Sequence, residues 1–265
     1  MLNETKYKPL LLNYTQWENG QTGSVGMFSR NGSTTENYRV LANDPWGKET
    51  VVWEARADAT SGADGGWNAG YVSVDSSYYY RFSIWVRRTV TGNGTAYFGC
   101  YGSPSVLNLS NRSSNTNPYF WAGGLGSDWV LIVGHIHPEG TLAGSTIHQD
   151  SGFYKVGQGR TGNINTDFIF ANGTTSARHR SYLYYSTNTT TRQQWCYPRM
   201  DKCDGTEPSI DELLAGHDSR NEDYVRSLNG TVKQAFKAGD INYVGNISEC
   251  SITNGLVAWY PLQGD

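Results

Sequence analysis

An all-β fold, built as an antiparallel sandwich of the jelly-roll kind, is what this sequence predicts, and three observations predict it. Short runs of alternating apolar and polar residues recur from about Tyr7 to Gly205. The stretches between them are rich in Gly, Asn, Ser and Thr, the residues that build turns. None of those stretches has the 3.6-residue period of the crossover helices a parallel sheet requires. With 265 residues the chain can bury a substantial core, and 18 Tyr and 9 Trp supply much of its apolar area. The 31 glycines follow no Gly-X-Y period, which excludes collagen.

The strands can be taken in chain order. In SSYYYRFSIWVRRTV, one parity carries Tyr78, Tyr80, Phe82, Ile84 and Val86, and the other Tyr79, Arg81, Ser83, Trp85 and Arg87. A period of two with one uniformly apolar face marks a sandwich strand with its other face wet. GTAYFGCYG follows Asn93-Gly94, a pair suited to a tight hairpin turn, so these two runs are expected to pair. DWVLIVGHIHP is apolar on both parities through Val133 and then turns amphipathic, as a central strand with a partly covered outer face would. DFIFANG reads as a short strand ending in another Asn-Gly turn, and RHRSYLYYSTN and RQQWCYP as closing strands. The domain so defined is 1–205.

After Gly205 the character changes. Pro208 with Asp211 and Glu212 suits the start of a helix, for which Thr206 is the expected cap. Region 206–250 then reads as two short amphipathic helices broken at Asn229-Gly230, or as a loosely ordered connector. It has too few apolar positions for a core of its own, so it must pack on the sandwich, a partner chain or itself. Residues 251–265 read as a strand that begins and is cut short.

Composition excludes several function classes. A formal charge of −3, from 24 acidic and 21 basic residues, argues against a nucleic-acid binder. The longest apolar runs are far too short to span a bilayer as helices. No secretory signal pattern is visible at the N-terminus, and without one the many Asn-X-Ser/Thr triplets read as accidents of composition. Cys100, Cys196, Cys203 and Cys250 are too few for a disulfide framework. Cys196 and Cys203 would bond if the chain reverses between Met200 and Gly205; otherwise they are inert thiols.

The most enzyme-like fragment is GHIHPE, where His135 and His137 point to one face of a strand, as in barrel-type metal enzymes. Glu139 follows too soon for the usual carboxylate, with His148 the one residue that would stand in, and the plainer reading is a pair of hydrogen-bonding histidines. There is no nucleophile elbow, Cys100 has no base near it in sequence, and nothing pairs Glu54, Asp128, Glu139 or Asp150 across a cleft. The expectation is a protein that is not an enzyme. More informative are aromatic residues set in polar loops: Trp67, Tyr71, Tyr119, Phe120 and Trp121. Such rings can stack on the apolar face of a sugar or anchor a protein interface, while Trp67 and Trp121 could instead fold inward over the ends of the sandwich. Asp58, Asp64 and Asp75 flank a Gly-rich loop and are either a hard-cation site or surface acids.

The stretch from Arg192 to Leu214 carries a resemblance. Its aromatic strand, then Tyr197, Pro198, Arg199, Asp201 and the run Asp204–Leu214, looks like the exit of the jelly-roll domain of bacteriophage tail-fibre and virion structural proteins. Trp17, Glu18, Asn19 and Gly20 resemble the opening of galactose-binding-like carbohydrate-binding modules, which implies a structural calcium held by Glu18 and Asp201. GLVAWYPLQGD, at 255–265, looks like the first strand of a laminin-G or concanavalin-like domain. Together the resemblances imply an extracellular virion appendage. Its partners would be a host-surface polysaccharide, contacted by Trp67, Tyr71, Tyr119 and Trp121, and other virion proteins, in a homotrimer around 206–250. The alternative is a purely structural collar or spacer.

Overall fold

The computed structural model describes residues 11–216. Sixteen strands follow one another: β1 (Phe28–Arg30), β2 (Asn37–Asn43), β3 (Glu49–Arg56), β4 (Ala63–Ala69), β5 (Val72–Ser73), β6 (Tyr79–Val90), β7 (Thr95–Ser103), β8 (Val106–Asn108), β9 (Ser114–Asn115), β10 (Tyr119–Gly123), β11 (Val130–His137), β12 (Gly152–Lys155), β13 (Gly159–Gly162), β14 (Phe168–Phe170), β15 (Ser176–Tyr184) and β16 (Arg192–Cys203). One short helix, α1 (Ile210–Ala215), closes the described chain. The strands form two sheets. The smaller has six strands in the order β1-β4-β15-β7-β10, with β5 on β15. The larger has ten, in the order β2-β3-β16-β6-β11-β14-β8-β9, with β12 and β13 attached to β11. Pairing is antiparallel except between β11 and β14. The expected all-β sandwich is the fold.

Alternation places the core between the sheets. Tyr80, Phe82, Ile84 and Val86 of β6 face Phe98 and Cys100 of β7 and Ala177 and Leu183 of β15 across a single buried cluster. The hairpin expected between β6 and β7 does not form. β6 pairs with β16 and β11, whereas β7 pairs with β15 and β10, so residues 91–94 carry the chain from one sheet to the other. The reason is burial. Both strands have one strongly apolar face, and a crossing lets those faces meet across the core instead of lying side by side.

Trp67 lies at the centre of the core and is fully buried. Its ring meets Trp17, Trp53 and Trp195 at centroid distances of 5.3, 5.2 and 5.3 Å, and Phe28 at 5.8 Å. Its indole N–H donates to His179 Nδ1 at 3.4 Å, and His179 Nε2 donates to the Ser83 carbonyl at 3.2 Å. One side chain thereby ties the N-terminal segment, both sheets and a core histidine together. The Gly-rich stretch before it, read as a loop, is strand β4. Gly65 and Gly66 take φ values of +119° and +107°, and a Cβ on Gly66 would collide with the Ser181 carbonyl.

The outer face of the larger sheet is covered. Val52, Trp85, Trp129, Leu131, Val133, Tyr154 and Cys196 form a second buried cluster there, closed by Leu213 of α1. The cap of α1 is Ser209, not Thr206: Glu212 N–H donates to Ser209 Oγ at 3.2 Å and Ser209 N–H to Glu212 Oε2 at 2.7 Å, a reciprocal capping box. Thr206 instead turns back to Asp204. Arg81 donates to the Pro208 carbonyl and Trp46 Nε1 to the Leu214 carbonyl, so this first part of 206–250 packs on the sandwich. The rest of that region, and the strand expected at 251–265, lie outside the described residues. Cys196 and Cys203 are free thiols. β16 bulges between Cys196 and Arg199 but does not reverse, so the two positions stay at separate places along one strand, too far apart to bond.

Replacing Trp67 with Ala is expected to destabilise the protein by about 3–5 kcal/mol, the cost of a large cavity in a packed core. Urea unfolding measures it; a loss below about 1 kcal/mol would mean the ring is not the core element described.

Candidate functional site

The two sheets present unlike outer faces. On the smaller sheet, alternation along β15 turns Ala177, His179, Ser181 and Leu183 inward, and Arg178, Arg180, Tyr182 and Tyr184 outward. Across the register, Arg178 stands beside Tyr101, and Tyr182 beside Tyr97. Arg180 is flanked by Asn68 of β4 on one side and Gly99 of β7 on the other, and Gly99 in turn pairs with Tyr119 of β10. Gly99 is what lets this row close up. A Cβ there would lie 2.7 Å from the Tyr119 ring and would also strike the Pro118 carbonyl, so its absence allows Tyr119 to lean over the strand toward Arg180.

The result is a ladder of rings and guanidinium groups. Arg178 lies 4.8 Å from the Tyr71 ring centroid and 5.7 Å from that of Tyr101. Arg180 lies 5.5, 5.1 and 5.9 Å from Tyr101, Tyr119 and Tyr182. Tyr97 packs on Tyr119 at 4.7 Å. Tyr182 donates its hydroxyl to Asn68 Oδ1 at 2.6 Å and Tyr184 to Asn31 Oδ1 at 3.2 Å, which fixes both rings. Burial pushes the Tyr182 hydroxyl up to about 12 and that of Tyr119 in the same direction, so both stay neutral. Exposed Tyr71 and half-buried Tyr101 and Tyr119, on the outer face of a rigid sheet and interleaved with multi-donor cations, can stack on a ring-shaped ligand and hydrogen-bond its substituents.

The four aromatic residues expected to contact sugar divide between faces. Tyr71, which is exposed, and the half-buried Tyr119 lie on this ladder. Trp67 does not, because it is the core residue described above. Trp121 lies on the other side of its strand: a bulge between Tyr119 and Trp121 sets Phe120 and Trp121 both inward, and Trp121 packs edge-on against Phe153 at 5.2 Å. The residues that sequence reasoning missed are Arg178, Arg180, Tyr97, Tyr101, Tyr182 and Tyr184. A signal for most of them was present, since Arg178, Arg180, Tyr182 and Tyr184 share one parity of RHRSYLYY.

The histidine pair lies on the larger sheet, beneath the segment that follows β11. His135 and His137 are 1% and 2% exposed, so neither stands on an open surface. Asp167, fully buried, organises the cluster: it accepts from the backbone N–H groups of His135 and His148, each at 2.8 Å, and from Ser151 Oγ at 2.8 Å. With the Ser151 proton on Asp167, His135 Nδ1–H donates to Ser151 Oγ at 2.7 Å. His148 stacks on His135 at 3.9 Å, and His137 Nε2 lies 3.2 Å from Asp167. Burial, then the neighbouring His148, push the His135 imidazole well below its ordinary range. These contacts tie β11 to the loop before β12 and to β14, and they match the plainer reading of the pair as hydrogen-bonding groups.

A calcium ion between Glu18 and Asp201 does not fit the residues present. The carbonyls of Gln21 and Gly23, which a hard cation in the Glu18 turn would use, accept from Arg39 Nη2, each at 2.8 Å, and Gly23 also accepts from Arg30. Glu18 itself accepts from the Ser24 N–H. Asp201 is taken by Arg81 at 2.9 Å and Arg199 at 2.8 Å. Burial works to raise its carboxyl, and the two arginines overcome this and hold it well below the usual range. Asp58 and Asp75 close local turns onto Thr60 and Ser77, while Asp64 is buried beneath the Ser186 N–H. Among the described residues no three His, Cys, Asp or Glu side chains converge as a metal-binding group.

No protein-family profile matches the chain, and no curated protein matches it. Solved structures do resemble it in shape. The CBM22-1 xylan-binding domain from Paenibacillus barcinonensis Xyn10C aligns with 75% of this chain and 97% of its own, at 14% identity and a TM-score of 0.32. The arabinose-bound α-L-arabinofuranosidase MgGH51 aligns with 79% of this chain at 11% identity and a TM-score of 0.45, over 30% of its own length. The enzymatically active domain of bacteriophage CBA120 tailspike protein 4 aligns with 73% of this chain and 23% of its own, at 8% identity and a TM-score of 0.37. The chain thus spans under a third of the two enzymes and nearly all of the isolated module.

The buried titratable groups set a pH dependence. Burial lowers His135 and His148, and lowers His179 to about 3, so the unfolded chain takes up protons first as pH falls below about 6.5 and stability is lost. Asp64, which burial raises to about 6, acts in the opposite sense, gaining stability as pH falls through that value. Three histidines against one carboxyl give a net loss on acidification. Urea midpoints are expected to fall steadily from pH 6.5 to 4.5; a flat or rising profile would contradict the buried neutral imidazoles.

Proposed function

We propose that this domain is a glycan-binding module, without catalytic activity of its own, and that its ligand lies along the tyrosine–arginine ladder of the smaller sheet. The observation that carries this reading is the ladder itself. Tyr71, Tyr101 and Tyr119 are held in place by Arg178 and Arg180 on a face that β15, β7 and β10 make rigid, while the outer face of the larger sheet is already covered. Preorganised rings lose little conformational entropy on binding, and sugar rings offer apolar faces of matching size. The burial of His135 and His137 supports a structural role for them and so favours binding over catalysis.

The same reading places the module in a viral appendage that meets host-surface polysaccharide. Support for that setting comes from the resemblance of the Arg192–Leu214 stretch to the exit of phage tail-fibre jelly rolls. Association with other virion proteins, and a trimer built around 206–250, belong to this proposal as well.

Tyr71→Ala and Tyr119→Ala are expected to weaken binding on a glycan array or in calorimetry by about tenfold or more each, the usual loss for an aromatic anchor, with the urea midpoint of Tyr71→Ala unchanged. Trp121→Ala, on the opposite side of its strand, is expected to bind normally. Undiminished binding by both tyrosine variants would overturn the assignment of the face. A blank array together with cross-linked oligomers would favour a collar.

A further inference from the structure

We infer that the glycan recognised on this face is acidic, and that a carboxylate or sulfate group of the chain docks on the guanidinium groups of Arg178 and Arg180. The inference rests on the glycan-binding reading and names the ligand class for the same site.

The buried arginines elsewhere in the fold show what an arginine of this protein ordinarily has. Arg39 donates to the carbonyls of Asn37, Gln21 and Gly23. Arg81 holds Asp201 and the Pro208 carbonyl, Arg88 holds Gln193 and two carbonyls, and Arg199 holds Asp201. Arg180 is 6% exposed, as buried as these, yet among the described residues its side chain makes no hydrogen bond and no ion pair. Its Nε and Nη2 are both shut off from water with no acceptor. An orphaned Nε is shared by Arg39, Arg81, Arg88 and the half-buried Arg178; the orphaned Nη2 is what sets Arg180 apart.

A guanidinium is a fork of five donors whose natural partner is a planar oxyanion held by two parallel bonds. Burying one without acceptors is among the costlier things a fold can do. Arg180 bears that cost, with the half-buried Arg178 at the next outward position of the same strand. The rings around them supply cation–π attraction and no hydrogen-bond acceptor of comparable strength. Arg180 acts electrostatically on both Tyr119 and Tyr182, and Arg178 on Tyr182, so the charge felt by these rings from the pair is positive. The neutral tyrosines would stack on sugar rings while the arginines take the charged substituent of one of them. A neutral glycan would use the rings and leave the fork unfilled.

The test is a panel of acidic polysaccharides, namely polygalacturonate, alginate, hyaluronan and dextran sulfate. Each uronate is paired with its carboxyl-reduced counterpart, dextran sulfate with dextran, and xylan is the neutral reference. Affinity electrophoresis and calorimetry with the full chain are expected to show retention by at least one acidic member. Its neutral counterpart should bind at least about tenfold more weakly, the loss for one charge-assisted bidentate pair. Raising salt from 50 to 500 mM should weaken the acidic member alone. Arg180→Gln should remove the preference, and Arg180→Lys, which keeps charge without the fork, should restore only part of it. Should Arg180→Gln fail to fold, Arg178→Gln at the half-buried position serves the same purpose. Whether carboxylated or sulfated members bind distinguishes the two sources of the anion. Equal binding of charged and neutral partners, or retention by neutral members only, would overturn the inference and leave glycan binding standing. Retention by no member would overturn both.

Discussion

The architecture depends on the contact that Trp67 makes across the core. Its ring touches Trp17 from the N-terminal segment, Trp53 from β3 and Trp195 from β16, and its indole N–H reaches the core histidine of β15. Rings of this size, packed edge to face, set the separation of the two sheets and leave little freedom to slide one over the other. Because β4 and β15 are paired through this region, the inward seat of Trp67 and His179 determines the outward parity of their neighbours. Arg178 and Arg180 flank His179, so an inward histidine requires two outward arginines. The proposed binding face is in this sense the reverse side of the core.

Both sheets have outer faces, and the chain treats them differently. On the larger sheet the segment after β11, the strands β12 and β13, and helix α1 fold back and bury Trp85, Leu131, Val133 and the His135–Asp167 cluster. That covering leaves the smaller sheet as the one whose outward side chains form the tyrosine–arginine ladder. A sandwich needs one closed core for stability; the second buried cluster stiffens β6, β11 and β16 from behind. The arrangement suits recognition, since a rigid sheet holds its rings in place before any ligand arrives.

Much of the fold was legible in the sequence because strand parity is a local signal. The inward set Tyr80, Phe82, Ile84 and Val86 followed from alternation, and the covered outer face of β11 from apolar residues on both parities. The crossing between β6 and β7 was not legible, because an Asn-Gly pair fits a hairpin and a sheet-to-sheet link equally well, and only burial of both apolar faces decides between them. Trp67 was misplaced for a related reason. Its Gly-rich surroundings read as a flexible loop, whereas Gly65 and Gly66 are there because the strand passes too close to Ala55 and Ser181 for side chains. Of the site, Tyr71 and Tyr119 were found as rings in polar stretches. The arginines between them were passed over because basic residues were weighed only through the formal charge, and not as alternating faces of a strand. A calcium expected by resemblance failed on the details of the Glu18 turn, where Arg39 and Arg30 already take the carbonyls.

The most direct measurement is an amide chemical-shift map of the isotopically labelled protein titrated with oligosaccharides from the acidic panel. The account predicts that shifts concentrate at Gly99, Tyr101, Arg178, Arg180 and Tyr182 on β7 and β15, with the His135–Ser151–Asp167 region on the other sheet unmoved. Shifts centred on that histidine cluster, or on the covered outer face of the larger sheet, would contradict it.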